Sequence, residues 1–145
     1  MPTIHRTAIV SHTPRQMYEL VNAIEEYPQY LPWCKTSQIL SKNEDEIRAS
    51  LLLARGGVEK SFTTCNRLQK DKMIEIRLLN GPFHHLEGFW QFETIDGVGC
   101  RITLNLEFEF AGKLLSFAFS PVFNQVANTL VDAFVKQAKV LYGDK

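Results

Sequence analysis

Apolar and polar residues alternate with a period of two through the middle of this chain and with a helical period on either side of it. The clearest alternation spans residues 101–110. Ile102, Leu104, Leu106, Phe108 and Phe110 fall on one face, and Arg101, Thr103, Asn105, Glu107 and Glu109 on the other, which predicts a strand with one buried and one wet side. Ile74, Ile76 and Leu78 alternate with Glu75 and Arg77 in the same way. Leu86, Trp90 and Phe92 share a face in a strand that starts near Phe83, and Gly88 between them predicts a bend or bulge. Residues 3–10, rich in Thr, Ile and Val, predict a first strand. Turn signals at Asn43–Asp45, Arg55–Gly57, Lys70–Lys72, Asn80-Gly81 and Asp96-Gly97 punctuate the chain at hairpin spacing, so residues 36–110 read as a run of antiparallel strands. Gly56-Gly57 reads as a hairpin turn rather than a phosphate-binding loop.

Two helical regions flank that run. Thr13 is placed to cap, Pro14 suits a first helical position, and Gln16 completes a Thr-x-x-Gln capping box. Met17, Leu20, Val21 and Ile24 follow on one face. Pro28 and Pro32 then permit only a short second helix, and Tyr27, Tyr30 and Trp33 need partners to pack on. A long C-terminal helix begins either at Ser120-Pro121 or nearer Lys113. Val122, Phe123, Val126, Leu130, Phe134 and Leu141 form its apolar stripe, widened by Ala127, Ala133 and Ala138.

One antiparallel sheet has too little area to bury its apolar face on itself, so that face requires the long helix. The expected fold is α+β over residues 1–145: a curved antiparallel sheet of about six or seven strands wrapped on a long C-terminal helix, with two short helices after strand 1. Such a grip either fills completely or leaves an apolar pocket beside the short helices. The residues expected to wall the pocket are Trp33, Phe62, Trp90, Phe92, Phe108, Phe110, Phe123, Val126 and Leu130, with Trp33 and Trp90 at its mouth. Plain core packing is the ordinary use of such residues.

Composition narrows the classes. The chain has 145 residues, 45% hydrophobic and 22% charged, which excludes a disordered or repetitive chain. Sixteen basic residues balance sixteen acidic ones, so a protein that grips DNA through an overall basic surface is excluded, although a local patch is not. Arg67, Lys70 and Lys72, with Lys60, suggest a modest basic edge. Cys34, Cys65 and Cys100 form no Cys-x-x-Cys pair and predict free thiols and a cytoplasmic protein. Leu114–Val131 carries no charge, but Ser116, Ser120, Pro121, Asn124, Gln125, Asn128 and Thr129 make it a poor transmembrane segment.

The residues carry little chemistry. No nucleophile elbow, phosphate loop or dinucleotide fingerprint is present. Cys34 reads as a buried apolar residue rather than a nucleophile. His84 and His85 point to opposite faces of a strand. His85 and Glu87 share a face, but two ligands do not make a metal site. His5 and His12 are expected at the surface, and Glu107 and Glu109 lie on a wet face where carboxylates keep ordinary acidity. No catalytic or metal residue is therefore assigned, and no cofactor is required.

Four segments carry a family resemblance: Gln16–Val21, Tyr27–Cys34, Phe62–Asn66 and Gly81–Phe92, extended by Glu107–Phe110 and Ser120–Phe123. Together they resemble the coenzyme Q-binding START-like family of polyketide cyclase-like helix-grip proteins, its bacterial branch in particular. The resemblance implies a non-enzymatic protein that holds a hydrophobic ligand, ubiquinone or a related polyprenyl quinone, supports respiration, and makes at most transient membrane contact. The bacterial branch includes the ribosome-association toxin, so the alternative it implies is binding to the large ribosomal subunit and a block on subunit joining. A cyclase-like enzyme is the third reading. Cys65 stands where bacterial relatives often carry Arg in a Thr-Thr-Arg-Asn pattern, and if that position contacts RNA its loss weakens the ribosomal alternative.

Overall fold

The computed structural model describes residues 3–55 and 57–143. Gly56 of the expected Gly56-Gly57 turn lies outside the described residues, as do the chain ends at 1–2 and 144–145. Seven strands form one antiparallel sheet: β1 (Thr3–Val10), β2 (Cys34–Lys42), β3 (Glu46–Arg55), β4 (Val58–Gln69), β5 (Met73–Asn80), β6 (Phe83–Ile95) and β7 (Gly99–Phe110). Their spatial order is β1-β7-β6-β5-β4-β3-β2. Every neighbour except β1 and β7 is joined by a hairpin, because the turn residues fall where the alternation breaks. Asp71 takes a left-handed φ of 62° in one of these turns and Gly97 a φ of 76° in another.

β1 and β2 are consecutive strands at opposite edges of the sheet, so their connection must cross the sheet's inner face. It does so as α1 (Pro14–Asn22), a short 3₁₀ turn (Ile24–Glu26) and α2 (Tyr27–Tyr30). The capping box is made as its sequence predicts. The Gln16 backbone N–H donates to Thr13 Oγ1 at 3.1 Å and the Thr13 N–H donates to Gln16 Oε1 at 3.0 Å. Met17, Tyr18, Leu20 and Val21 then face the core.

The long helix, α3, runs Lys113–Tyr142 and lies against β7, β1 and α1. It begins at the earlier of the two expected starts, with Pro121 inside it. A proline there removes one helical hydrogen bond, from its own nitrogen to the Phe117 carbonyl, in a turn whose Phe117 is 86% exposed. Its buried stripe is Phe119, Phe123, Val126, Ala127, Val131, Phe134 and Ala138. Leu141, expected in that stripe, is instead 56% exposed. The helical phase brings Tyr142 inward in its place, where its hydroxyl donates to the Gln16 carbonyl at 3.3 Å. His12, expected at the surface, is 4% exposed: its Nε2 pairs with the Gly143 carbonyl at 2.9 Å and its ring packs on Tyr142. This contact fastens the end of α3 to the start of α1.

The bulge expected at Gly88 lies elsewhere. The β6–β7 register slips between Phe83 and His85 and then runs without a break past Gly88. Gly88 instead serves a close approach, since a Cβ there would stand 2.0 Å from the Asn105 carbonyl oxygen and 2.9 Å from Leu106 Cα.

Candidate functional site

The apolar core is not filled evenly. Because α3 leans on the β1–β7 half of the sheet, the inner face of β3 and β4 is covered less closely, and a cavity of about 90 Å³ remains there. Six of the nine expected wall residues line it: Trp33, Phe62, Trp90, Phe123, Val126 and Leu130. Phe92, Phe108 and Phe110 also face inward but do not reach this wall. Phe92 packs on Tyr18 of α1, with ring centroids 5.9 Å apart. Phe108 lies 4.7 Å from Phe123, and Phe110 5.3 Å from Phe119, where α3 is closest to the sheet. Strand alternation reports the face of a side chain, while the position of α3 decides which rows of that face are sealed. Leu51, Ile76, Leu86 and Leu106 complete much of the apolar lining.

Two polar side chains interrupt this wall. Thr64 Oγ1 donates to Asn66 Oδ1 at 3.0 Å, and both residues line the cavity. They follow from the alternation of β4, which points Phe62, Thr64 and Asn66 inward and Cys65 and Arg67 outward. Tyr27 donates its hydroxyl to the Val21 carbonyl, and burial raises its pKa well above the usual tyrosine value. Burial likewise pushes the thiols of Cys34 and Cys100 up to about 11, so both stay protonated at neutral pH. Cys34 Sγ donates to the Thr36 carbonyl at 3.4 Å, the behaviour of a packed thiol rather than an activated one.

The outer face of the sheet is charged and overlain by an open groove of about 490 Å³. Arg48, Cys65, Arg77, Glu87 and Glu107 stand in register across five adjacent strands, β3 to β7. Arg67 neighbours this row and pairs in register with Glu46 and Glu75. Along that one row the arginines stand on β3 and β5 and the carboxylates on β6 and β7, while Glu46 and Glu75 beside it place carboxylates among the arginines as well. Glu46 ties the basic half together: its carboxylate lies 3.4 Å from Arg48 Nε and accepts from Cys65 Sγ at 3.3 Å. Burial, followed by Glu46, raises the Cys65 pKa. Lys60 does not join Arg67, Lys70 and Lys72 as the sequence suggests. It sits seven residues before Arg67 on the same strand, about 23 Å away at strand rise. His85 and Glu87 do share the outer face, and the register adds a third residue that spacing alone could not reveal. His85 Nε2 lies 3.6 Å from Glu87 Oε1 and 3.5 Å from Glu107 Oε2.

A third feature is apolar and exposed. Leu114 and Phe117, one helical turn apart at the start of α3, are 87% and 86% exposed. The Ala111 N–H donates to the Pro82 carbonyl, which sets this helix start beside the β5–β6 turn.

The chain matches the family described as polyketide cyclase / dehydrase and lipid transport over residues 10–135. It is 45% identical over 140 residues to the protein named Ribosome association toxin RatA of Pseudomonas aeruginosa, covering 97% of each chain. It is 29% identical over 139 residues to the protein named Coenzyme Q-binding protein COQ10 homolog B, mitochondrial, of Xenopus laevis, covering 93% of this chain and 57% of that relative. Among solved structures, a START superfamily protein from Mycobacterium smegmatis superposes with a TM-score of 0.79 at 18% identity, covering 96% of this chain and 98% of that one. The Zhui aromatase/cyclase of Streptomyces sp. R1128 superposes with a TM-score of 0.83 at 17% identity, covering 99% of each. At such identities these structures bear on the fold alone.

Proposed function

This chain belongs to the polyketide cyclase / dehydrase and lipid transport family, and on that premise we propose that it works without catalysis, by docking on the large ribosomal subunit and hindering its union with the small one. The observation that carries this reading is the 45% identity, over nearly the whole chain, to a protein named for ribosome association and toxicity. The charged outer face supports it. Arg48, Arg67 and Arg77 stand on three neighbouring strands as exposed guanidinium groups, and such planar forks bind phosphate oxygens in pairs. With a net charge of zero the attraction must come from a local patch of this kind. Cys65 lies between Arg48 and Arg77 in register, so this chain's row has one cation fewer than the family pattern implies, which counts against the reading. Work on ribosomes would place the protein in the cytoplasm, in keeping with the free thiols of Cys34, Cys65 and Cys100.

Sucrose-gradient profiles of cells expressing the chain test this reading. Free subunits should rise at the expense of complete ribosomes, and Arg67→Glu with Arg77→Glu should restore the ordinary ratio. An unchanged profile in cells that accumulate the folded protein would refute it.

A second reading rests on the cavity and on the coenzyme Q-binding relative. A polyprenyl quinone would set its ring against Trp33 and Trp90 and its carbonyls near Thr64 and Asn66. Ligand pockets usually hold about 300–1,000 Å³, so a cavity of about 90 Å³ takes such a ligand only if α3 moves away from β3 and β4. Leu114 and Phe117 would then supply the transient contact with a lipid surface. Saturable quenching of tryptophan fluorescence by ubiquinone, and a quinone in organic extracts of the purified protein, are the expected results. Absence of both would refute this reading.

A further inference from the structure

Glu87 and Glu107 are direct cross-strand partners on the outer face of β6 and β7. Two carboxylates opposite one another repel, so the pair costs stability unless a cation lies between them. The bulge at the start of β6 brings a third side chain to the pair. Phe83 faces inward, and without the register slip His85, two residues on, would face inward too. The extra residue turns His85 outward and aims its imidazole between the two glutamates, the kind of re-aiming that bulges perform.

The result is three ligand atoms from three side chains, all within 4.8 Å of one another. The two separations that involve the histidine are longer than a good hydrogen bond and close to those between ligands of one ion. Two ligands about 2.0–2.1 Å from a tetrahedral ion stand about 3.3–3.4 Å apart, and His85 Nε2 lies 3.6 and 3.5 Å from the two carboxylate oxygens. That nitrogen is itself buried and has no hydrogen-bond partner among the described residues. We propose that His85, Glu87 and Glu107 form a binding site for a divalent transition-metal ion of the zinc class.

One imidazole and two carboxylates suit that class. Calcium asks for six to eight oxygens and magnesium for a near-octahedral oxygen shell, whereas zinc accepts three protein ligands and a water. Both glutamates are about half exposed, which leaves the outward position open to that water. Arg77, opposite Glu87 on β5, opposes the ion's charge, and Glu109, opposite His85 on β7, favours it.

The test is zinc titration of the full chain in metal-free buffer, read by competition with a chromogenic chelator and by the melting temperature. One equivalent should bind and raise the melting temperature. His85→Ala, Glu87→Gln and Glu107→Gln should each weaken binding at least about tenfold, since even residues behind the ligands change affinity by about 10–100-fold. Cobalt substitution should give the visible bands of a low-coordinate site, lost in His85→Ala. Cys65→Ser, on the same face, should bind zinc as the parent does. The proposal is overturned by failure to bind below millimolar zinc, by binding that survives His85→Ala and Glu107→Gln unchanged, or by binding lost in Cys65→Ser. The glutamine variants keep side-chain size at exposed positions, so they should fold as the parent does in chelator.

Discussion

Gly88→Ala sets two opposing effects against each other, and the structure decides between them. By backbone propensity alone, replacing glycine in a strand stabilises by about 0.4–1 kcal/mol, because the unfolded chain loses freedom. At Gly88 the added Cβ would stand 2.0 Å from the Asn105 carbonyl oxygen, 2.9 Å from Leu106 Cα and 3.0 Å from the Asn105 carbonyl carbon. None of these atoms is the end of a flexible side chain. All belong to β7, which is held between β6 and β1 by ladders along its length. Relief requires β6 and β7 to part by more than 1 Å, roughly the gap between 2.0 Å and ordinary carbon–oxygen contact. Forced overpacking costs about 1–3 kcal/mol; a clash with rigid backbone takes the upper end, and less the glycine gain the net expected loss is about 2–2.6 kcal/mol. For a chain of this size that lowers the melting temperature by about 4–10 °C. Urea unfolding followed by circular dichroism, with the midpoint compared at constant slope, measures it. Equal or higher stability in the alanine variant would refute the close approach.

Further outcomes follow from the same structure. Phe134 is fully buried and meets Tyr27, Tyr30 and Trp90 edge-on at 5.3–5.9 Å, so Phe134→Ala should cost about 3–5 kcal/mol in urea unfolding; a loss below about 1.5 kcal/mol would contradict its place at the centre of the core. Cys34 and Cys100 titrate at about 11 in the fold, above the ordinary thiol value near 8.5. Their contribution is complete below the unfolded pKa, and stability should fall as pH rises from about 9 to 11. Replacing both by alanine should flatten the early part of that slope and leave the part above pH 10 that Tyr27 and Tyr30, also raised by burial, share. Leu114→Asp with Phe117→Asp should leave stability within about 0.5 kcal/mol, since both side chains lie in solvent. The same pair should reduce flotation with phosphatidylcholine vesicles; unaltered flotation would remove them from any lipid contact.

The order of elements was readable because local signals agreed with one another. The first strand, the capping box and the hairpin turns each rest on a few adjacent residues, and the structure uses them as their chemistry suggests. Longer-range facts were not readable. Proline is acceptable at a helix start and tolerable inside an exposed turn, so Pro121 fitted both starts of α3. His12 is buried only because the far end of the chain returns to cover it, 131 residues later. At the cavity, alternation identified inward-facing aromatics but not the rows that α3 seals, which is why Phe92, Phe108 and Phe110 fall outside the wall. Glu107 joins His85 and Glu87 through the pairing of β6 with β7, and a bulge of one residue decides that pairing.

The proposed contact with the large ribosomal subunit runs through Arg48, Arg67 and Arg77 on the outer sheet face. Sedimentation of the purified chain with isolated large subunits, over a series of salt concentrations, tests it most directly. Stoichiometric co-sedimentation is expected, with the logarithm of affinity falling against that of salt by a slope of roughly −2 to −3 for three phosphate contacts, and with loss of binding in Arg67→Glu, Arg77→Glu. A chain that stays at the top of the gradient at low salt, or one that binds equally well without those arginines, would contradict the account.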